Sequence, residues 1–381
     1  MHKNSPSYYY DLQSFKSRCH NLILDESQTS FLVGKANTPY GTNTNELLIA
    51  TLYKIFAQNG EMLNLLIEGH GRKYVSDSIR CDATIGWFTS IFPLCLPSSS
   101  PNWSQLIKRT KQSLRSLPNK GENYLEIAFE HQEESVRETL QSLLKLPISF
   151  NFLGRFTGKD KESWHIQHQF TQYLVSAKNK PLRALDINAW ICDDKLHIEF
   201  DMVEEAFSNF TVVELSKLFS NTLQELIEHC ISADCLGGLT PSDLVDIELA
   251  QEVIENLEEK LGTLEDIYPA TDFQRELLYF NRVNNDYQID QLYFELTGEL
   301  NIEAFKAAWG SILLKYDILR AGFDDEHTRG QPLILIPRSA NLPITLQNWE
   351  NQDIEQQISD AILNERQRPF DWHKPPLMSC Y

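Results

Sequence analysis

Glu68-Gly69-His70-Gly71-Arg72 sets a carboxylate, an imidazole and a guanidinium directly behind the apolar run Met62 to Ile67. A strand that runs into a glycine-loosened loop lets backbone approach a substrate closely and leaves its terminal side chains accessible. Glu68, partly withdrawn from water, would hold a proton more tightly than an ordinary carboxylate and so suit proton abstraction. An exposed ion pair between Glu68 and Arg72 is the competing reading of the same residues.

The other reactive side chains make weaker patterns. His165 and His168 stand three apart on a predicted strand, which points them to opposite faces and argues against a metal pair. Glu133, Glu134 and Glu138 read as the solvated face of a helix rather than a cation site. Cys19, Cys81, Cys95, Cys192, Cys230, Cys235 and Cys380 are odd in number and contain no Cys-x-x-Cys pair, which fits neither a disulfide framework nor zinc. They are expected as reduced, mostly buried thiols, and no metal is expected. Nucleophile-elbow, phosphate-loop, His-Glu-x-x-His and EF-hand patterns are absent from the sequence.

Composition narrows the partners. A chain of 381 residues predicts two or three folded units at ~150 residues each. With 42% hydrophobic and 11% aromatic residues it can bury a core, and a net charge of −19 disfavours nucleic acid and anionic membrane surfaces. The longest apolar stretch, Thr84 to Leu96, is interrupted by Gly86 and Pro93 and falls short of the roughly 18 residues of a membrane span. The start lacks a signal-peptide pattern, so the cytoplasm is the expected location.

Several elements must position Glu68. Spacing predicts helices over Asn45 to Asn59, ended at Gly60, and Asn102 to Leu117, with strands at Met62 to Ile67 and Thr84 to Leu96. A strand series follows at Pro147 to Phe152, His165 to Val175, Arg183 to Ile191 and Lys195 to Met202, the last two joined by an Asp193-Asp194 turn. Phe210 to Ser232 reads as a closing helix. The segment 236–265, with its Gly and Pro followed by acidic residues, reads as a linker containing a solvated helix. Beyond it, Thr271 caps a helix to Phe280, Gln288 to Leu296, Ile318 to Phe323 and Pro332 to Ile336 look like strands, and Asn301 to Tyr316 and Ile354 to Arg366 look like helices.

Motifs in order along the chain resemble a nonribosomal peptide synthetase. Tyr40-x-Thr42-x-x-Asn45-Glu46-Leu47-Leu48, EGHGR at Glu68 to Arg72, IGWFTSIFP at Ile85 to Pro93, IKRTKQSLRSLPNKG at Ile107 to Gly121, FNFLG at Phe150 to Gly154 and LTPSD at Leu239 to Asp243 are similar to the C-terminal part of an epimerization domain. DIYPATDFQ at Asp266 to Gln274 and KYDILRAGF at Lys315 to Phe323 resemble the start of a condensation domain.

The resemblance implies an α/β fold of chloramphenicol-acetyltransferase-like lobes, each a mixed sheet with flanking helices, joined by an acidic linker. Residues 1–235 would be the epimerization-domain lobe, 236–265 the linker and 266–381 a truncated condensation-domain lobe. The implied chemistry is inversion at the α carbon of an aminoacyl or peptidyl thioester, followed in the parent by peptide-bond condensation. The thioester arm is phosphopantetheine presented by a carrier-protein partner, beside neighbouring synthetase domains, with no cofactor bound directly. Glu68 is the implied catalytic residue, Asn151, His70, Arg72 and Trp87 the implied substrate contacts, and Arg320 and Phe323 structural residues, Arg320 pairing with a buried acid. The family's His-His-x-x-x-Asp motif is absent from these residues, so the chain alone is expected to be catalytically incomplete. Ala83, Phe152 and Lys73 depart from the family's arginine, tyrosine and acid. The alternatives are a non-catalytic carrier-docking module, or a standalone acyltransferase of the same fold using His70 as base.

Overall fold

The computed structural model describes residues 16–56, 62–72, 84–97, 102–156, 179–207, 211–284, 289–328, 330–349 and 353–381. The chain divides into two compact units, Met1–Gly237 and Gly238–Tyr381. The expected strand His165 to Val175, with His165 and His168, lies outside the described residues, as do Gly60, Lys73, Cys81 and Ala83.

The first unit runs β1 (Arg18–Ile23), α1 (Glu26–Val33), α2 (Thr44–Phe56), β2 (Leu63–Gly69), β3 (Ser90–Leu96), α3 (Trp103–Arg115), α4 (Tyr124–Glu130), α5 (Glu134–Leu143), β4 (Ile148–Phe156), β5 (Leu185–Cys192), β6 (Lys195–Met202) and α6 (Val212–Ile231). Its six-stranded sheet has the order β1-β6-β5-β4-β2-β3. β4 pairs in parallel with β2 and β5, and the remaining pairs are antiparallel. Alternation builds the core: Leu185, Ile187, Ala189 and Ile191 of β5, with Leu196, Ile198 and Phe200 of β6, meet Leu215, Phe219, Leu223 and Leu226 of α6. The β5–β6 hairpin turns on Asp193 and Asp194, both at positive φ (49° and 59°), as its aspartate pair predicts.

Buried polar groups lock α2 to α3. Glu46 of the NELL segment accepts from Arg115 Nε at 2.7 Å and Nη2 at 3.0 Å while closing the cap of α2 on the Asn43 amide. Asn102 caps α3 by accepting from the Ser104 amide at 2.9 Å.

The second unit contains α7 (Gln251–Leu261), β7 (Leu264–Pro269), α8 (Asp272–Asn284), α9 (Ile302–Lys315), β8 (Gly322–Asp324), β9 (Leu333–Pro337) and α10 (Ile354–Arg366), with an antiparallel sheet in the order β7-β9-β8. Thr271 and Gln274 cap α8 reciprocally, as expected.

Five expectations are corrected. Only Ser90 to Leu96 of the long apolar run is strand, because residues 84–89 have no sheet partner and cross below Gly71 instead. Residues 289–300 carry no regular structure, and Asp317–Arg320 is a single 3-10 turn ahead of the short β8. α7 is not a solvated linker helix: Ile254 and Leu257 are fully buried against Leu264, Ile267, Leu333 and Leu335. Of the six described cysteines only Cys192 and Cys230 are buried, while Cys19 and Cys95 are exposed. Among the described residues no helix is long and apolar enough to cross a membrane.

Candidate functional site

Glu68 and Asn151 are register partners on the parallel pair β2–β4. Parallel pairing sets both side chains on the sheet face opposite the apolar core, and Asn151 Nδ2 donates to Glu68 Oε2 at 3.1 Å. Both are half-buried. Burial is the main cause that pushes the Glu68 carboxyl above the usual carboxylate range; the Arg183 guanidinium opposes it and Asp186 adds to it. A carboxylate of raised proton affinity beside an amide donor is equipped to take up a proton and to offer a hydrogen bond to a nearby oxygen.

The loop after β2 is built around Gly71. Its φ is +63°, and a Cβ there would overlap the Phe88 carbonyl oxygen, so only glycine lets the two segments meet. Arg72 uses this approach: Nη1 donates to the Thr84 carbonyl at 2.8 Å, and the guanidinium lies 4.4 Å from the Phe88 ring centroid. The backbone amide of Arg72 donates to His70 Nδ1 at 3.2 Å. The five-residue motif therefore splits: Glu68 turns to Asn151, and Arg72 holds the 84–88 segment. His70 is exposed, and Trp87 is 92% exposed, so neither is gathered with the Glu68–Asn151 pair. Phe152 is half-buried and packs against the core. Gly154, at φ +85°, sits where the β4–β5 register shifts between Phe152 and Arg155 and interrupts the ladder shortly past Asn151, before pairing resumes at Arg155 and Phe156.

Strand alternation on β5 and β6 adds residues that sequence reading passed over. Asp186, Asn188, Glu199 and Asp201 share the non-core face, with Asn188 the register partner of Asn151 and Glu199 that of Asn188. Burial raises the proton affinity of Asp186 and Glu199 as well. The signal was present as polar residues alternating with Leu185, Ile187, Ile198 and Phe200 within strands already recognised.

In the second unit Arg320 is 1% exposed. Its Nε donates to the Pro337 carbonyl at 2.6 Å and Nη1 to that of Leu313 at 2.8 Å, while Nη2 pairs with Glu265 and Asp317. Both acids are about half exposed, so the expected buried acid is replaced by backbone carbonyls. Phe323 packs partly buried beside Ala270, Ala321, Ile334 and Ile336. Asp324, Glu326 and His327 bring three ligand atoms within 4.8 Å, but His327 Nδ1 already lies 3.0 Å from both Asp324 oxygens across a turn and Glu326 pairs with Lys260. Glu134 and Glu138 are exposed on α5.

Comparison with known proteins gives the family. The condensation-domain family profile matches residues 10–235 and 264–381. A mycosubtilin synthase polypeptide of Bacillus subtilis is 30% identical over 92% of the chain, and bacitracin synthase 1 of Bacillus licheniformis is 28% identical over 92%. The chain spans only 14% and 7% of those relatives' lengths. The crystal structure of the epimerization domain from the third module of tyrocidine synthetase B superposes with a TM-score of 0.51 at 30% identity, covering 57% of this chain and 50% of that one. The fold is the chloramphenicol-acetyltransferase-like α/β fold, a mixed sheet flanked by helices. The chain therefore belongs to the condensation-domain family of nonribosomal peptide synthetases.

Proposed function

We propose that residues 1–235 form the base-bearing lobe of an epimerization site and that residues 266–381 begin the next condensation domain, in the cytoplasm and within a larger synthetase. The Glu68–Asn151 contact carries this reading, because it joins a carboxylate of raised proton affinity to an amide donor at a strand end. The substrate is an aminoacyl or peptidyl thioester whose phosphopantetheine arm is presented by a carrier protein.

Thioester conjugation acidifies the α C–H bond. The Glu68 carboxylate takes that proton and becomes a carboxylic acid, leaving the electron pair delocalised onto the thioester oxygen. Asn151 Nδ2 is placed to donate to that oxygen in exchange for its bond to Glu68. Return of a proton to the opposite face completes inversion, and that step needs an acid supplied by the complementary lobe.

A standalone acyltransferase would draw on His70, whose exposed ring accepts from its own loop's backbone. The inversion reading is tested in the synthetase that contains this chain, by following solvent deuterium into the α position of a carrier-bound aminoacyl thioester. Glu68→Gln is expected to slow exchange by ~10²–10⁴-fold. Exchange that is unchanged in that variant overturns the assignment.

A further inference from the structure

Two charged groups near Glu68 take no part in the inversion chemistry itself. Register aligns Leu66, Ser149 and Asp186 across β2, β4 and β5, one alternate position before the row Glu68, Asn151 and Asn188. Asp186 therefore shares the face of Glu68. It is held there by Ser149 Oγ, which donates to Asp186 Oδ1, and by Arg183, whose Nε lies 3.6 Å from the same oxygen. Arg183 is itself anchored, with Nη1 donating to the Leu144 carbonyl at 3.2 Å and the Leu146 carbonyl at 3.4 Å. Neither charge is free to swing away.

We propose that Arg183 and Asp186 are a positioning pair of opposite charge that biases Glu68 between carboxylate and carboxylic acid before substrate arrives. The pair touches neither reacting atom and acts through the field across the sheet face, where partial burial weakens solvent screening. The guanidinium favours the carboxylate and the Asp186 carboxylate favours the acid, both superimposed on the larger effect of burial. On the same face β6 adds Glu199 and Asp201, β4 adds Ser149 and Asn151, and β3 adds Ile91 and Pro93 with Cys95 further along. His70 and Arg72 follow on the chain of Glu68 itself. Among these groups Arg183 and Asp186 are bound to each other, so substrate-independent geometry fixes their balance.

The proposal rests on Glu68 as the base, yet it is tested without turnover. In the full chain, the Glu68 carboxyl carbon is assigned by comparison with Glu68→Gln and titrated by ¹³C NMR. Asp186→Asn keeps an acceptor for Ser149 and is expected to move the Glu68 midpoint to lower pH; Arg183→Gln is expected to move it to higher pH. Each displacement should be roughly half a pH unit or more, and Arg183→Lys, which restores the charge, should return the midpoint toward its original place. Opposite displacements cannot come from general loosening of the strand. Midpoints that stay fixed, or that move the same way in both variants, overturn the proposal, and Asp186→Asn alone decides if Arg183→Gln does not fold. Opposite displacements together with α-proton exchange indifferent to Glu68→Gln would uphold the pair's action and overturn the inversion reading.

Discussion

Asn151 and Glu68 are 83 residues apart in sequence, yet the parallel pairing of β2 and β4 makes them direct neighbours, Nδ2 to Oε2, 3.1 Å apart. The contact depends on strand register rather than on either local segment. Shifting β4 by one residue would turn Asn151 into the core and bring Phe150 or Phe152 to Glu68.

Replacing Asn151 by aspartate puts two carboxylates at this register position. Like charges at hydrogen-bond distance cannot both ionise readily, so the pair should titrate in two steps, the upper one well above that of Glu68 alone. Carbon-detected titration of the carboxyl groups measures this, and a single unshifted step would contradict the geometry.

The raised proton affinity of Glu68 makes it a cost to folding at neutral pH. The folded state binds the proton more tightly than the unfolded one, so the group's stabilisation is full below the unfolded carboxylate range and is lost as pH rises through the folded value. Glu68→Gln should therefore raise the thermal midpoint at neutral pH. The advantage should shrink as pH falls toward 4, about where an unfolded glutamate titrates. Thermal unfolding at a series of pH values checks both the sign and the window.

Removing the Arg320 guanidinium leaves the Pro337 and Leu313 carbonyls without these donors. Arg320→Met should cost about 2–4 kcal/mol in urea unfolding of the full chain. Arg320→Lys should recover only part of this, because one ammonium cannot serve carbonyls on β9 and α9 together with two acids.

Leu257→Ala should cost about 2–5 kcal/mol in the same measurement, since Leu257 is 1% exposed among Ile254, Leu264 and Leu335. Glu259→Ala, on the exposed side of α7, should change little.

Local signals made much of the fold legible. The β5–β6 hairpin announces itself through alternation on both sides of Asp193-Asp194, and α6 through its apolar stripe; the Thr211–Glu214 capping box that starts α6 emerges from the structure. Elements whose nature depends on a distant partner were not legible. Residues 84–89 are as apolar as a strand, but they find Gly71 and Arg72 rather than a ladder. α7 looks solvated because its acidic exposed face dominates the sequence, whereas Ile254 and Leu257 are buried only once β7 and β9 fold beneath them. The EGHGR motif identified Glu68, but its partner could be named only by resemblance and Asp186 not at all, because parallel register is set by non-local pairing.

Thr240 and Asp243 of the LTPSD segment cap each other, and the chain from there feeds Leu239, Leu249, Ile254 and Leu257 into the same core as β7 and β9. For anyone assembling chimeric synthetases, the apparent spacer is thus cargo of the downstream partner. A recombination junction belongs near Gly237 and Gly238, because a splice at residue 265 would pair the new neighbour with a hydrophobic core that has lost Leu239, Leu249, Ile254, Leu257 and Leu264.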